Sequence, residues 1–558
     1  CGNLMNDMLN ELNEVRKAGM YTVTYDGNGS TGGSVPEDAT LYAEGETVTV
    51  LGNPGGLVKT GNSFAGWNTA ADGNGLDYAE GDTFPMGTAD VTLFAAWSLV
   101  PVSGVSLNKS STIIPRGYTE ELTASVEPDT AADTGVSWES SNTAAATVDA
   151  DGVVTAVEGG TATITVTTSD GGFTAECNVE LITSPTAQAD KLLADDGTTA
   201  DHFGSSVSVS GDYAVIGAYN DGELGTGSGS AYIFEQHGSG NWQQVQKLLA
   251  SDGDQGDYFG YSTAIIDGCA FIAAVNANGG GAAYVFERDS AGDWNQTAKL
   301  TASDGAGGDD FGESIAASGD YVIVGAVNEG DSGSAYLFEK PDSGWTDLEE
   351  TAKLTPSDTP NNEYFGRSVA INGDEAFVGA PGFETATGIG GGKVYIFMRD
   401  ESGNWQEEGQ LVASDDATGD ERFGYSMELS GDYAVIGAWY DDNGGSMQGS
   451  AYIFRKSNSG NWVEEAILTA SDAEDSVRFG RAVAISGTYA VIGTSFAGAA
   501  YVFERDTSGT WSEVEIITPS DSTGYFGQSV AVYKGYALIG ADGDNDNGSN
   551  SGAAYVFE

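Results

Sequence analysis

Residues 423–454 read FGYSMELSGDYAVIGAWYDDNGGSMQGSAYIF, and this stretch decides the fold. A Phe-Gly pair opens it, alternating apolar residues mark two strands joined by a turn at 430–432, and a third strand ends it at 451–454. A fourth strand is predicted around residues 462–468. Four short strands in about 50 residues are typical of one blade of a β-propeller.

The pattern occurs seven times, and its ends predict a closed ring. A Trp opens the fourth strand in six units, whereas the seventh stops at Glu558 after its third strand. Residues 190–194, before the first Phe-Gly, match residues 246–250, which end a fourth strand. We therefore predict that the N-terminal strand completes the last blade and removes the exposed edges of an open array. The repeated residues are Phe203, Phe259, Phe311, Phe365, Phe423, Phe479 and Phe526, with Trp242, Trp294, Trp345, Trp405, Trp462 and Trp511.

These units resemble FG-GAP repeats, the family that also builds the integrin α-chain propeller. The fourth unit spells the name, with Phe365-Gly366 followed by Gly379-Ala380-Pro381. Integrin-type repeats hold calcium in an Asp-rich loop between the first and second strands. Here that connection is a short turn, as at residues 210–212 and 318–320, so the resemblance implies no integrin-type calcium site.

Acidic residues concentrate instead in the loops from strand two to three and from blade to blade, which emerge on the same face of the ring. The best metal candidate is residues 542–548, where Asp542, Asp544 and Asp546 alternate with small residues. Alternate carboxylates suit calcium, a cation that prefers oxygen ligands. A solvated, turn-forming acidic loop is the other interpretation of this segment.

The charge balance excludes some partners. The chain has 21 Lys and Arg against 83 Asp and Glu, a formal charge of −62. Such a surface repels nucleic acid and anionic lipid. The acidity either attracts cations and basic partners or keeps a Gly-rich β protein soluble.

The N-terminal segment, residues 1–19, predicts a membrane anchor. Cys1-Gly2-Asn3 resembles a bacterial lipoprotein after signal-peptide cleavage, which implies a lipid on Cys1 as the sole membrane contact. An unmodified thiol is the alternative. Residues 4–17 carry an apolar stripe at helical spacing and predict a short amphipathic helix.

Two further modules precede the propeller. Residues 20–98 resemble an internalin-type B-repeat, a small β-grasp-like module of bacterial surface proteins, in which we expect Trp67 and Trp97 to be core residues. Residues 99–183 resemble a bacterial group 2 immunoglobulin-like domain, a β-sandwich in which residues 149–152 form a hairpin turn. The predicted fold class is therefore all-β: a short N-terminal helix, a β-grasp-like repeat, an immunoglobulin-like β-sandwich, and a seven-bladed FG-GAP β-propeller over residues 184–558.

Sequence patterns favour a binding protein over an enzyme. The two histidines, His202 and His237, lie in no metal-ligand or nucleophile motif, and a carboxylate pair for carbohydrate chemistry is only a remote alternative. We predict a cell-surface protein on the extracellular face of a bacterial envelope, whose propeller binds a protein or glycan. The alternative is a structural subunit whose copies assemble into a filament or surface layer. The candidate ligand-binding residues are the loop residues Tyr219, Trp439, Tyr440, Asp441 and Asp442.

Overall fold

The computed structural model describes residues 19–237, 241–358, 364–382, 384–385, 388–389, 391–415, 421–442, 447–457, 459–472, 476–495, 498–521 and 524–558. These residues form strands, turns and one short 3-10 helix, Ala277–Gly279, and contain no α-helix. The helix predicted at 4–17 and the lipid site predicted at Cys1 lie outside the described residues. None of the described segments is a helix with the length and hydropathy that a bilayer crossing requires. The described residues fall into two compact units, one ending at Ile182 and the other beginning at Thr183.

The first module of the N-terminal unit is a small mixed sheet. Its first and last long strands lie side by side and parallel, with Val23 opposite Val91. Trp67 is fully buried, donates its indole N–H to the Leu51 carbonyl and packs on Tyr25, as predicted for a core residue. The strands are Met20–Tyr21, Val23–Asp26, Tyr42–Ala43, Thr47–Thr49, Asn62–Asn68, Asp77–Tyr78, Thr83–Pro85 and Val91–Leu99.

The second module is a β-sandwich, as predicted. Its core lies between a four-stranded and a three-stranded sheet and includes Ile114, Val154 and Ile164. Asp149 accepts hydrogen bonds from the amides of Asp151 and Val153, so this segment is the predicted hairpin turn. The strands are Gly104–Leu107, Ser111–Pro115, Thr119–Glu121, Ala124–Glu127, Val136–Ser140, Ala146–Val148, Val153–Ala156, Gly160–Thr168 and Thr174–Ile182.

The second unit is a seven-bladed β-propeller of four-stranded antiparallel blades. The predicted closure is confirmed, because Gln188–Leu192 pairs with Ala553–Phe557 and completes blade 7. A two-stranded hairpin, Glu384–Thr385 with Gly388–Ile389, projects from blade 4. The remaining strands, blade by blade, are Phe203–Ser210, Tyr213–Ala218, Ser230–Gln236 and Trp242–Leu248; Phe259–Ile266, Cys269–Ala274, Ala282–Arg288 and Trp294–Thr301; Phe311–Ser318, Tyr321–Ala326, Ser334–Glu339 and Ala352–Leu354; Ser368–Asn372, Glu375–Ala380, Lys393–Arg399 and Trp405–Leu411; Ser426–Ser430, Tyr433–Ala438, Ser450–Lys456 and Trp462–Leu468; Ala482–Ser486, Tyr489–Gly493, Ala500–Arg505 and Trp511–Ile517; and Ser529–Tyr533 and Tyr536–Ala541.

Blade 3 departs from the predicted pattern. Its fourth strand is Ala352–Leu354, so Trp345 does not open it. After a turn in which Gly344 donates to the Pro341 carbonyl, Leu348–Glu349 pairs in parallel with the fourth strand of blade 2. Trp345 nevertheless packs against Phe271 of blade 2, as the other five Trp side chains pack on an aromatic residue of the preceding blade.

The Phe of each Phe-Gly pair anchors its blade in the core. Phe259, fully buried, meets Tyr284 and Phe286 edge to face at centroid distances of 5.5 and 6.0 Å. The glycine that follows has a positive φ, 91° at Gly260, and a Cβ there would lie 2.2 Å from the Ser230 carbonyl oxygen. A side chain at this position would therefore separate the blades, which is why the pair is Phe-Gly in all seven.

Candidate functional site

A cavity of about 410 Å³ lies at the centre of the ring, because first strands of all seven blades line it. Its variable part is the residue directly after each Phe-Gly pair. These seven residues are Ser205, Tyr261, Glu313, Arg367, Tyr425, Arg481 and Gln528. The volume is in the usual range for a small-molecule site.

An unusual backbone conformation shapes the rim of this cavity. The residue directly before each Phe-Gly pair has a φ between 56° and 63°, although none is glycine. Such a left-handed conformation costs of order 1 kcal/mol and persists only where the surrounding fold imposes it. The seven rim positions are His202, Tyr258, Asp310, Tyr364, Arg422, Arg478 and Tyr525.

A ring of serine hydroxyls joins the blades just inside the cavity. In each of six blades the second residue after the Phe-Gly pair is a Ser whose Oγ donates to a glycine carbonyl of the next blade, at 2.7–3.0 Å. Ser529 donates to Gly204, so the ring also crosses the closure. Ala482 holds the equivalent position in blade 6 and has no hydroxyl.

Two arginines converge on one phenol inside the cavity. The guanidinium carbons of Arg367 and Arg481 lie 4.3 and 4.6 Å from the ring centroid of Tyr425, and both side chains donate to its hydroxyl oxygen. Arg367 also forms an ion pair with Glu313. Among the residues that the structure describes, no carboxylate lies within ion-pair distance of Arg481.

The electrostatics of Arg481 follow from that arrangement. Burial, and then the neighbouring charge of Arg367, lower the pKa of Arg481, while Tyr261 and Asp542 raise it in part, and the net pKa is about 10. The group remains charged at neutral pH, and the contribution of Arg367 shows that the two guanidinium groups repel each other. A carboxylate beside both guanidinium groups offsets that repulsion, as Asp542 of the cavity lining does in part.

Aromatic and cationic side chains continue from Tyr425 to the rim. Trp439 packs edge to face on Tyr425 at 5.4 Å and on Tyr440 at 4.8 Å. The guanidinium carbon of Arg478 lies 4.7 Å from the Trp439 ring and that of Arg422 lies 5.6 Å from the Tyr440 ring. The indole N–H of Trp439 is buried and has no hydrogen-bond partner among the described residues.

Tyr219 and Asp542 also lie at this rim. Tyr219 stacks on His202 at 5.2 Å and contacts Tyr261 of the cavity edge to face. Asp542 lines the cavity, with Oδ2 3.6 Å from Nδ1 of His202. Of the predicted ligand-binding residues, Tyr219, Trp439 and Tyr440 therefore belong to the surroundings of the cavity.

The other two predicted ligand-binding residues lie elsewhere. Asp441 is 5% exposed and accepts a hydrogen bond from the Tyr452 hydroxyl at 3.1 Å. Asp442 is exposed and accepts from the amide of Met447 at 2.8 Å. Asp441 thus supports the blade, and only Asp442 is freely presented to solvent.

The predicted calcium residues do not converge as a trio. Asp542 faces the cavity, whereas Asp544 and Asp546 meet Asp521 at the outer loops of blade 7, with ligand atoms within 4.8 Å of one another. The ammonium of Lys191 stands among these three, at 2.6 Å from Asp521 and 2.8 Å from both others. Burial alone would lower the pKa of Lys191, but its hydrogen bonds to the carboxylates raise it overall.

This arrangement belongs to a motif repeated around the ring. In every blade a third-strand Tyr donates its hydroxyl to an Asp in the loop that follows the fourth strand of the preceding blade, at 2.7–2.9 Å. In blades 1, 2, 3 and 7 a fourth-strand Lys opposite that Tyr pairs with the same Asp. Ile467 and Ile516 hold the lysine position in blades 5 and 6. Much of the loop acidity that suggested ligand binding is therefore engaged in the blades themselves.

Sequence reasoning missed the cavity residues, although a signal was present. The repeat is nearly uniform on either side, yet the residue after Phe-Gly is Ser, Tyr, Glu, Arg, Tyr, Arg and Gln in turn. A variable position inside a uniform repeat marks a place where packing does not dictate the side chain.

Fold and site together define a seven-bladed β-propeller with a polar central cavity. The model of the FG-GAP repeat matches the chain seven times, over more than half its length, and the chain belongs to this family; the matches are residues 186–234, 242–286, 294–338, 348–397, 405–454, 462–503 and 511–557. Residues 101–179 match the bacterial Ig-like domain (group 2). Residues 21–96 match the Listeria-Bacteroides repeat domain, and the internalin-type B-repeat predicted for them stays a prediction.

Curated relatives share only short segments with this chain. A putative Gly-rich membrane protein of Evansella cellulosilytica is 44% identical over 79 residues, which are 14% of this chain and 9% of that protein. An alpha-L-arabinofuranosidase of Bifidobacterium longum subsp. longum is 47% identical over 92 residues, 16% of this chain and 8% of that enzyme. Among solved structures, a protein from Lactobacillus plantarum covers 64% of this chain and 92% of its own, at 15% identity and a TM-score of 0.40.

Proposed function

We propose that this chain is a non-catalytic binding protein of a bacterial cell envelope, and that its propeller takes a protein or glycan ligand at the mouth of the central cavity. The observation that carries the proposal is the continuous group of Tyr425, Trp439, Tyr440, Arg422 and Arg478 between cavity and rim. Aromatic and arginine side chains are the types that dominate binding energy at interfaces. The unpartnered indole N–H of Trp439 supplies a donor that a ligand would satisfy.

The proposed envelope location is supported by the names of relatives and by the modules that precede the propeller. Two relatives that share a segment with this chain are named as membrane proteins of Evansella cellulosilytica. The Listeria-Bacteroides repeat and the bacterial Ig-like domain precede the propeller along the chain. Such modules suit the display of a binding domain, which accords with the acidic composition of the chain.

Arrays of bacterial and host glycans and of matrix proteins, probed with the full chain, test the proposal. We expect the wild type to bind at least one surface ligand, and Trp439→Ala to bind that ligand with at least tenfold lower affinity. Phe173→Ala is the matched control, because Phe173 is a 37%-exposed aromatic residue outside the propeller. Thermal unfolding of each variant verifies that the fold is retained.

Two results would overturn the proposal. One is the absence of any ligand across the arrays; the other is a ligand whose binding Trp439→Ala leaves unchanged. Light scattering and negative-stain electron microscopy of the same sample supply a further discriminating result. Ordered polymers of the purified chain would replace the binding function by that of a structural subunit.

A further inference from the structure

We infer that the ligand of the cavity mouth is a glycan that ends in a single carboxylated sugar, and that Arg481 receives its carboxylate. This inference rests on the proposed function, since it assumes that the mouth binds a ligand, and it specifies that ligand's chemistry. Three observations support it: the placement of the arginines, the absence of an ion-pair partner for Arg481 among the described residues, and the aromatic side chains of the rim.

The first support is the placement of positive charge. The chain carries a formal charge of −62, and four of its ten arginines belong to this one site. Arg367 and Arg481 lie inside the cavity, and Arg422 and Arg478 occupy two neighbouring rim positions. These four guanidinium groups outnumber the two carboxylates that line the cavity, Glu313 and Asp542, and this balance favours a small anion at the site.

The second support is that Arg481, unlike Arg367, forms no ion pair with a described carboxylate. Arg367 is neutralised by Glu313, whereas Arg481 donates to the neutral phenol of Tyr425 and lies beside the like charge of Arg367. The carboxylate of Asp542 acts on Arg481 through space but forms no ion pair with it among the described residues. A guanidinium presents five N–H donors in a planar fork that matches a carboxylate in a two-point contact. A carboxylate bound there would relieve the repulsion between the two arginines.

The third support favours a sugar over an acidic peptide. Tyr364 and Tyr525 stand at rim positions with 43% and 47% of their surface exposed, so part of each aromatic side chain is accessible to a ligand. The apolar faces of sugar rings pack on such aromatic surfaces, and the serine, tyrosine and glutamine groups of the cavity suit a hydroxyl-rich ligand.

The overall charge limits the ligand to one acidic unit. A peptide with many carboxylates would meet the acidic surface around the cavity mouth. A neutral oligosaccharide with one terminal uronic acid meets the positive field with its carboxylate and leaves uncharged rings on the rim.

Isothermal titration calorimetry of the full chain tests the inference with two probes. One is the trisaccharide made of lactose and a terminal glucuronate, and the other is the same trisaccharide with that carboxyl reduced to an alcohol. We expect the acidic probe to bind at least tenfold more tightly, with a preference that weakens as salt is raised. Arg481→Gln is expected to abolish this preference. Arg455→Gln is the matched control, because Arg455 is an exposed arginine of the same propeller that lines no part of the cavity, and it should leave both affinities unchanged.

Stability measurements keep the test decisive. Because Arg481 pairs with no described carboxylate and faces Arg367, we expect Arg481→Gln to unfold at the same temperature as the wild type or above it. If that variant does not fold, Arg481→Lys keeps the charge but loses the two-point fork, and it should lose most of the preference for the acidic probe.

The outcomes separate this inference from the proposed function. Equal affinity for both probes, a preference that survives in Arg481→Gln, or binding of neither probe would overturn the acidic-sugar inference. The proposed function would still stand if the arrays reveal another ligand that Trp439→Ala removes. The acidic-sugar inference and the proposed function would fail together only if neither probe binds and the arrays reveal no ligand.

Discussion

The ammonium of Lys191 lies 2.8 Å from Oδ2 of Asp544, although 353 residues separate the two along the chain. Lys191 belongs to the strand that closes the ring, and Asp544, 1% exposed, belongs to the loop between the second and third strands of the same blade. The ion pair therefore ties the start of the propeller to its end. Asp521 and Asp546 surround the same ammonium, and Tyr555 lies beneath it, with its ring centroid at 5.1 Å.

Removal of this ammonium should weaken the closure. In Lys191→Met a buried carboxylate loses its positive partner while two others remain beside it, so we expect the propeller to lose about 2–3 kcal/mol of unfolding free energy. Urea unfolding followed by tryptophan fluorescence measures the change. Lys299→Met is the matched control, because Lys299 pairs with a single, half-exposed Asp252 and should cost about 1 kcal/mol or less. Equal losses in the two variants would contradict the closing role of Lys191.

The same site decides how calcium acts on this protein. Three carboxylates within 4.8 Å of one another would suit a divalent cation, but the lysine ammonium already occupies the space between them and offsets part of their charge. We expect millimolar calcium to leave the melting temperature of the wild type unchanged and to raise that of Lys191→Met by several degrees. Differential scanning calorimetry measures both.

A second substitution serves as the control for calcium. Asp544→Asn in the Lys191→Met background removes the most buried ligand and should abolish the calcium response. A calcium-dependent rise in the wild type would show that a cation binds despite the lysine, at this site or at another acidic loop.

The serine ring predicts a stabilising substitution. Six blades donate a serine hydroxyl to the next blade, whereas Ala482 leaves the Gly527 carbonyl without one from blade 6. The backbone around Gly527 repeats that around Gly480, since a Cβ on Gly493 or Gly437 would lie 2.1 Å from the respective carbonyl oxygen. Ala482→Ser should therefore add about 0.5–1 kcal/mol, and Ser426→Ala should remove about as much. Chemical denaturation of both variants checks this, and a destabilised Ala482→Ser would show that the position has no room for the hydroxyl.

The fold was predictable because each blade repeats a local pattern, whereas the site was not. Phe-Gly pairs, turn residues and the closing segment predicted at 190–194 are features of adjacent residues, so the sequence indicates blade number and closure directly. Trp345 misled because a Trp can keep its packing position against Phe271 while the strand begins later. Arg367, Tyr425 and Arg481 meet because three successive blades each direct the residue after the Phe-Gly pair into the cavity. Asp441 was predicted to bind a ligand, and the sequence did not show its hydrogen bond to the Tyr452 hydroxyl because that group lies on the next strand.

A partly buried carboxyl in blade 5 predicts how stability depends on pH. Burial raises the pKa of Glu428 to about 8, even though its side chain accepts a hydrogen bond from the Ile485 amide at 2.7 Å. Below pH 4.5, its ordinary pKa, the group is protonated in both the folded and the unfolded chain. Between that value and pH 8 the unfolded chain releases the proton and the folded chain retains it, so this group's contribution to stability falls as pH rises.

Glu428→Gln isolates this contribution. Glutamine keeps an oxygen that can accept from Ile485 but has no proton to lose, so the variant should lack the decline between about pH 5 and pH 8 and exceed the wild type in stability at neutral pH. Urea midpoints of both proteins at half-unit pH steps measure the difference, with Glu408→Gln on the fourth strand of blade 4 as the exposed-carboxyl control. If the wild-type and Glu428→Gln curves run parallel across this range, the carboxyl is not protonated in the folded protein and the assignment fails.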